Sequence, residues 1–332
     1  MKKKLLFALL FILLTVGAYS YLDNPFETDR VLTSSFVKDE GDIEVHFCPE
    51  DDCEKALLEA IDSAQISLHC ALFDIGLQSL QEKLLEKSSM IDVKIVTDND
   101  YFHKLNHAFV RKDSWGLMHN KFCIIDSNKM FTGSMNPTDN GVRKNNNNFL
   151  VITSKVLSSN YESEFQEMWE GNFKGGGKVL NPLIKLDNIE LGDIEIKNYF
   201  CPEDNCAYHV KEELKKAEKS IHFMTFSFTN EGIANILLLK NMEGVEIYGI
   251  MEARQVTKYS QFERLLHNGI NVVKDSNPNN MHHKVFIIDG RIVITGSFNP
   301  TNNGDKGNDE NVLIIESEKI ANMFEEEFRK IW

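Results

Sequence analysis

The amino-acid sequence carries one pattern twice, in the same order. Three pairs of matching segments establish this: FCPEDDC at 47–53 and FCPEDNC at 200–206, MHNK at 118–121 and MHHK at 281–284, and GSMNPT at 133–138 and GSFNPT at 296–301. Because segments of similar sequence fold alike, the chain is predicted to consist of two similar halves, 43–180 and 194–332. The stretches 19–42 and 181–193 are predicted to be linkers.

Strands and helices are predicted to alternate along each half, which indicates an α/β fold. In the first half, Leu57 and Ile61 lie on one apolar face of a predicted helix at 54–64, and strands are predicted at 66–73 and 93–97. Each half is predicted to end in a helix, at 161–169 and at 318–332. We expect each half to be a mixed sheet flanked by helices. Packing about a pseudo-twofold axis would then bring equivalent residues face to face.

The motif H-x-K-x4-D occurs once in each half and carries the chemistry. Its members are His119, Lys121 and Asp126 in the first half, and His282, Lys284 and Asp289 in the second. Side chains two positions apart on a strand share a face, so each histidine is predicted to lie beside its lysine. An ammonium can hold a phosphoryl oxygen while an imidazole attacks phosphorus or transfers protons. These residues are therefore the predicted catalytic groups for an anionic substrate.

A serine and an asparagine follow each motif at a matched distance. They are Ser134 and Asn136 in the first half, and Ser297 and Asn299 in the second. Hydroxyl and amide groups can donate hydrogen bonds to phosphoryl oxygens. The four residues are predicted to bind the substrate's phosphate.

The paired motifs resemble those of the phospholipase D superfamily, over nearly the whole chain after about residue 43. The short halves look most like its compact branch of small bacterial endonucleases and mitochondrial cardiolipin hydrolases. The resemblance implies that one histidine forms a phosphohistidine while the other moves protons, with His119 as nucleophile and His282 as acid and base. It implies no metal and no other cofactor. Members of that branch pair two copies as a dimer, so a chain holding both copies is expected to be a monomer.

One position departs from the usual pattern of the phospholipase D superfamily. Its members usually carry a glutamate after the G-S-x-N segment that orients a histidine. Glu310 takes this place in the second half, whereas the first half has Asn147. An amide can accept a hydrogen bond from an imidazole, but it cannot stabilise an imidazolium by charge. We therefore expect the two histidines to have unequal pKa values.

Four of the six cysteines form two short-range pairs, Cys48 with Cys53 and Cys201 with Cys206. Two disulfides are the favoured interpretation, and a zinc site shared by all four thiolates is the alternative. Cys70 and Cys123 lie in apolar, strand-like runs without an obvious partner. Buried reduced thiols stay open as an interpretation of this pair.

The N-terminus has the layout of an export signal. Lysines at positions 2–4 precede an apolar run at 5–18, and Val16 and Ala18 suit a cleavage site after Ala18. An uncleaved membrane anchor through residues 5–22 is the alternative. Both interpretations place the body of the protein outside the cytoplasm, secreted or anchored.

The sequence predicts a phosphodiesterase but leaves its substrate open. The formal net charge is −14, which counts against tight, non-specific binding of nucleic acid. The compact halves leave little room for lipid-binding loops, so a nuclease is slightly favoured over a phospholipase acting on phospholipid head groups. A phosphatidyl transferase would share the same chemistry. A binding module without activity is disfavoured, because every motif histidine and lysine is present.

Overall fold

Helices and strands alternate in both halves, as the sequence predicts. A computed structural model describes residues 36–114, 116–175 and 188–332, so the predicted signal or anchor at 1–18 lies outside the described residues. The first half contains the strands β1 (Val37–Asp39), β2 (Asp42–Cys48), β3 (Ser67–Leu72), β4 (Asp92–Thr97), β5 (Val110–Lys112), β6 (Leu117–Met118), β7 (Lys121–Ile125), β8 (Lys129–Gly133) and β9 (Asn147–Thr153). Its helices are α1 (Cys53–Asp62), α2 (Gln78–Ser88), α3 (Asp139–Arg143) and α4 (Lys155–Trp169).

The second half repeats this arrangement. Its strands are β10 (Ile189–Leu191), β11 (Ile194–Cys201), β12 (Ser220–Thr225), β13 (Glu246–Met251), β14 (Asn271–Lys274), β15 (Lys284–Ile288), β16 (Ile292–Gly296) and β17 (Asn308–Glu316). Its helices are α5 (Cys206–Lys215), α6 (Glu231–Met242), α7 (Phe262–His267), α8 (Asn302–Lys306) and α9 (Glu318–Ile331). Helix α7 is the extra segment of the second half, where the first half has a short 3-10 turn, Phe102–Leu105.

The two sheets have the same strand order. The first runs β2-β9-β8-β7-β3-β4-β5, and the second runs β11-β17-β16-β15-β12-β13-β14 with β10 and β1 added beyond β11. In both, the central strand, β3 or β12, pairs in parallel with the next strand in the chain, β4 or β13, and antiparallel with β7 or β15. This confirms the predicted mixed sheets flanked by helices.

The described parts of the two predicted linkers, 36–42 and 188–193, belong to the folded body. Strand β1, at the end of 19–42, pairs in parallel with β10 in 181–193, and β10 pairs antiparallel with β11. Strand β1, which precedes the first half in the chain, therefore extends the sheet of the second half. From Val37 to Trp332 the chain forms one compact unit, and the exact borders of the half-domains remain a prediction.

The last helix of each half packs against the other half. Tyr161 on α4 lies edge-on to Phe200 of the second half, with ring centroids 4.9 Å apart. Phe324 on α9 lies edge-on to Phe47 of the first half, at 5.0 Å. All four rings are buried in a hydrophobic core that both halves share. Large aromatic side chains contribute much of the stability of such a core, so the halves are held together by the same effect that folds each one.

All described cysteines form disulfides, joining Cys48 to Cys53, Cys201 to Cys206 and Cys70 to Cys123. The first two bonds confirm the favoured interpretation and exclude the zinc alternative, because each pair of thiols is already joined. The interpretation that had stayed open for Cys70 and Cys123, buried reduced thiols, is wrong. These residues lie directly opposite each other on antiparallel β3 and β7, a register that local sequence does not reveal.

Asp126 and Asp289, predicted to be catalytic, are structural residues. The Asp126 carboxylate accepts hydrogen bonds from three successive backbone amides, with the shortest, from Ile66, at 2.7 Å. Asp289 accepts three in the same way, the shortest from Lys219 at 2.8 Å. Each aspartate lies at the end of its strand that is remote from the histidine. A strand rises by about 3.3 Å per residue, so a separation of seven positions keeps the two residues well apart. The two carboxylates fix the chain where it enters the central strand.

Asp126→Ala tests this structural role. Its loss leaves three backbone amides without their acceptor, so we expect the free energy of unfolding to fall by about 2 kcal/mol. Urea denaturation measures the change, and Ser127→Ala, at the exposed neighbouring position, is the control. A variant as stable as the wild type would contradict the assignment.

Candidate active site

Each motif histidine is positioned by the backbone of the other half. The amide of His119 donates to the carbonyl of Asp309, and the amide of His282 donates to the carbonyl of Asn146, both at 2.9 Å. Strand β6, just before His119, pairs with the start of β17, and Met281 forms a matching bridge to Asn146. The site therefore exists only at the junction of the halves.

The imidazoles are oriented by Glu310 and Asn147, but across the junction. Nδ1 of His119 lies 2.7 Å from Oε2 of Glu310 in the second half. Nδ1 of His282 lies 2.9 Å from Oδ1 of Asn147 in the first half and 3.0 Å from the carbonyl of Ser134. The asparagine of the first half thus contacts the histidine of the second half. Because Nδ1 is occupied in both rings, Nε2 is the nitrogen left for a substrate.

The two motif lysines are buried beside the histidines. Nζ of Lys121 donates to the carbonyl of His119 at 2.6 Å, and Nζ of Lys284 donates to that of His282 at 2.7 Å. Burial lowers the pKa of Lys121 to about 7 and lowers the pKa of Lys284 well below its ordinary value. Two desolvated lysines at one site favour the binding of an anion, because a nearby negative charge would raise their pKa values and stabilise the ammonium form.

Two phenylalanines that the sequence analysis missed complete the walls of the site. Phe73 lies edge-on to His119 and Phe226 edge-on to His282, at centroid distances of 4.9 and 4.7 Å. Nζ of each motif lysine lies over the same ring, at 5.1 and 5.2 Å. The signal was available in the repeat, because the offset that relates Ser67 to Ser220 also relates Phe73 to Phe226.

The predicted phosphate-binding serines lie behind the imidazoles instead. Ser134 is fully buried, donates from Oγ to Oδ1 of Asn147 at 3.0 Å, and accepts from the amide of Asn148. Ser297 is also fully buried, and its Oγ accepts from the amide of Asn311 at 2.9 Å. Their hydroxyls are occupied by protein groups, so the serines support the orienting residues and do not face a substrate.

Asn136 and Asn299 keep unused hydrogen-bonding capacity at matched positions. Both are partly buried, and Oδ1 of each is a buried atom without a hydrogen-bond partner among the described residues. A role in binding phosphate stays a prediction for this pair. In the same described part of the chain, no group of three or more potential ligand side chains is arranged to hold a metal ion.

Electrostatics favour neutral imidazoles at this site. Burial, followed by the charges of Lys121 and Lys284, lowers the pKa of both histidines well below the ordinary value. Burial also raises the pKa of Glu310 to about 7, against the attraction of Lys121. A neutral imidazole with a free Nε2 is a competent nucleophile or base.

Glu310→Gln preserves the shape and the hydrogen bond to His119 but removes the charge. We expect kcat for a chromogenic phosphodiester to fall by about 100-fold with little change in KM, since the carboxylate matters most once positive charge develops on the ring. Steady-state kinetics measure the effect. The matched variant Asn147→Asp adds a carboxylate beside His282 and should raise the pKa of that ring. A wild-type kcat in Glu310→Gln would contradict the role of the charge.

Comparison with known proteins agrees with this geometry. A family model described as "Cardiolipin synthase, PLD-like domain" matches residues 57–169 and 210–332. The phospholipase D of Rickettsia prowazekii (strain Madrid E) is 34% identical over 136 residues, which cover 41% of this chain and 66% of the relative. The mitochondrial cardiolipin hydrolase of Chlamydomonas reinhardtii is 31% identical over 141 residues, which cover 40% of this chain and 63% of the relative.

A solved structure extends the likeness over both halves at the level of the fold. The phosphatidylserine synthase of Haemophilus influenzae Rd KW20 superposes with a TM-score of 0.64 and 12% sequence identity, covering 87% of this chain and 86% of that one. The family model matches most of the chain, in two tandem regions that each contain one histidine and lysine motif. The chain therefore belongs to the phospholipase D superfamily of phosphodiesterases.

Proposed function

We propose that this protein hydrolyses phosphodiester bonds through a phosphohistidine intermediate, without a metal ion, and that single-stranded nucleic acid is its first candidate substrate. One observation carries the reaction type. Two buried imidazoles, each with Nδ1 occupied and Nε2 free, lie beside two buried lysines at the junction of the halves. Such a site can hold a phosphoryl group between a nucleophile and a proton donor.

The unequal partners of the imidazoles support unequal roles. In the first step Nε2 of His119 attacks phosphorus, and the bond from phosphorus to the leaving oxygen breaks. The attacking ring gains positive charge, which the Glu310 carboxylate balances. His282 gives its Nε2 proton to the leaving oxygen. Because Asn147 stabilises the imidazolium of His282 less than a carboxylate would, that ring is the better acid.

The second step returns both histidines to their starting state. Neutral His282 takes a proton from water, the water oxygen bonds to phosphorus, and the bond from phosphorus to His119 breaks. The lysines stabilise the charge on the non-bridging oxygens in both steps. Substrate binding also prepares His282, because the phosphate's negative charge counteracts the lysines that lower its pKa.

Aromatic rings near the lysines support a nucleic-acid substrate. Phe73 contacts Tyr101 edge-on at 4.9 Å, and Tyr101 in turn lies under Nζ of Lys104 at 4.6 Å. Phe226 occupies the matching place beside Lys284 in the second half. A single strand offers phosphates to ammonium groups and bases to rings. The acidic total charge does not oppose this locally, because the field at the site acts on the bound phosphate.

Phospholipid is the second candidate substrate, and the relatives favour it. Their printed names are phospholipase D and mitochondrial cardiolipin hydrolase. The same phosphohistidine could be released by water in a lipid hydrolase or by an alcohol in a phosphatidyl transferase. In the described part of the chain, no helix is long and apolar enough to span a membrane.

We further propose that the protein works outside the cytoplasm as a monomer. The disulfides of both halves are typical of an oxidising compartment. Both histidines of the site come from one chain, so a second copy is not required to complete it.

Cleavage of a labelled single-stranded oligonucleotide in excess EDTA tests the proposal. The purified protein should cleave it, and His119→Ala and His282→Ala should each reduce the rate by at least about 1,000-fold. Phosphatidylcholine and cardiolipin vesicles form the parallel assay. Cleavage of lipid alone would replace the nucleic-acid substrate but keep the mechanism. Activity that EDTA abolishes and added metal restores would contradict the mechanism itself.

A further inference from the structure

Two residues, Asp309 and Asn146, occupy matched positions and hold the two motif histidines. The backbone carbonyl of each accepts the hydrogen bond from a histidine amide of the opposite half, at 2.9 Å in both cases. Their side chains differ in chemistry. Oδ1 of Asn146 accepts a hydrogen bond from Nδ2 of the Asn277 side chain, and the side chain of Asn146 cannot ionise. The histidine on this side is therefore held by neutral groups.

The side chain of Asp309 is ionisable and incompletely paired. The residue is 1% exposed. Oδ1 accepts from the backbone amide of Lys174, in the segment that leaves the first half. Oδ2 is buried and has no hydrogen-bond partner in the described part of the chain. A buried carboxylate oxygen without a donor is costly when ionised, whereas its protonated form is neutral and can itself donate.

Mostly negative groups face Asp309 from the elements packed around it. They are Asp113 after β5, Glu203 after β11, Glu164 on α4, and the cation Lys174. Burial, with Glu203 and Asp113 adding to it, raises the pKa of Asp309 to about 7 even though Lys174 and its backbone amide oppose this. Burial and the charges of Glu203 and Asp309 likewise raise the pKa of Glu164 well above its ordinary value.

We propose that Asp309 is a positioning residue that links the placement of His119 to its own protonation, while Asn146 holds His282 independently of pH. Ionisation of Asp309 adds a negative charge to the acidic group formed by Asp113, Glu164 and Glu203 at the start of β17. The repulsion acts on the strand whose backbone holds His119 and whose next residue, Glu310, orients its ring. The proposal rests on the phosphodiesterase activity proposed above.

Linkage gives the direction of the effect. The folded pKa of Asp309 lies above the model-compound value of 3.8. Its contribution to stability is therefore fully present below that value and is lost as the pH rises to about 7. The protonated form supports the placement of His119, so activity should decline as Asp309 ionises. An asparagine at this position removes both dependences.

The symmetry of the chain supplies the variants. Asp309→Asn installs the residue found at the matched position, and Asn146→Asp is the reciprocal change. Hydrolysis of bis(p-nitrophenyl) phosphate is measured between about pH 5 and 9. In Asp309→Asn we expect the alkaline decline of kcat/KM to become shallower than in wild type, because only Lys121, whose pKa is also about 7, then titrates in this range beside His119. In Asn146→Asp the acidic limb of wild type should persist while the alkaline decline becomes steeper. A pH profile of Asp309→Asn that superposes on wild type would overturn the proposal.

A second measurement tests the role of Asp309 without an activity assay. Thermal unfolding of the full chain is followed over about pH 4 to 8 for wild type and Asp309→Asn. The advantage of the variant in Tm should grow as the pH rises to about 7 and then stay constant. A pH-independent difference would mean a purely structural role and would overturn the proposal. Wild-type protein that cleaves no phosphodiester at all would refute the proposed function, while this comparison would still judge Asp309.

Discussion

The reciprocal backbone hydrogen bonds between the halves are the constraint on which the rest of the molecule depends. The amide of His119 donates to the carbonyl of Asp309, and the amide of His282 donates to the carbonyl of Asn146. Neither half alone can place its own histidine or orient its ring. Folding of the site is therefore tied to packing of the shared core, where α4 and α9 insert their aromatic side chains into the opposite half. A change that weakens the packing between the halves is therefore expected to disturb the geometry of the site as well.

A single chain also allows the two halves to differ, which identical subunits of a symmetric dimer cannot do. The proposed catalytic groups, two histidines and two lysines, are the same in both halves. The groups around them have diverged. One imidazole has Glu310 and the other Asn147. Beside the first half-site Lys104 forms an ion pair with Asp74 at 2.7 Å, whereas Ser227 donates to Gln255 at 2.9 Å beside the second. The divergence gives one ring a charged partner and the other a neutral one, which suits a nucleophile and an acid.

The site concentrates charge where the fold disfavours it. Lys121, Lys284 and Glu310 are all buried, and burial shifts each pKa toward the neutral form. Buried charges cost stability unless an opposite charge arrives, and a substrate phosphate would supply it. Apolar cores on both sides of each sheet and disulfides within each half offset that cost. The fold therefore tolerates these buried groups, and a bound anion would stabilise the charges of the lysines.

The amino-acid sequence by itself determined the duplication, the mixed α/β sheets, the candidate catalytic histidines and lysines, and the short-range disulfides. These features are written in repeated motifs and local periodicity, which need no knowledge of distant contacts. Only the tertiary structure decided that Glu310 and Asn147 serve the opposite half, that Cys70 pairs with Cys123, and that Asp126 holds a turn. Each of these depends on strand register or on packing across the pseudo-twofold axis. Such contacts join residues far apart in the chain, so no local pattern encodes them.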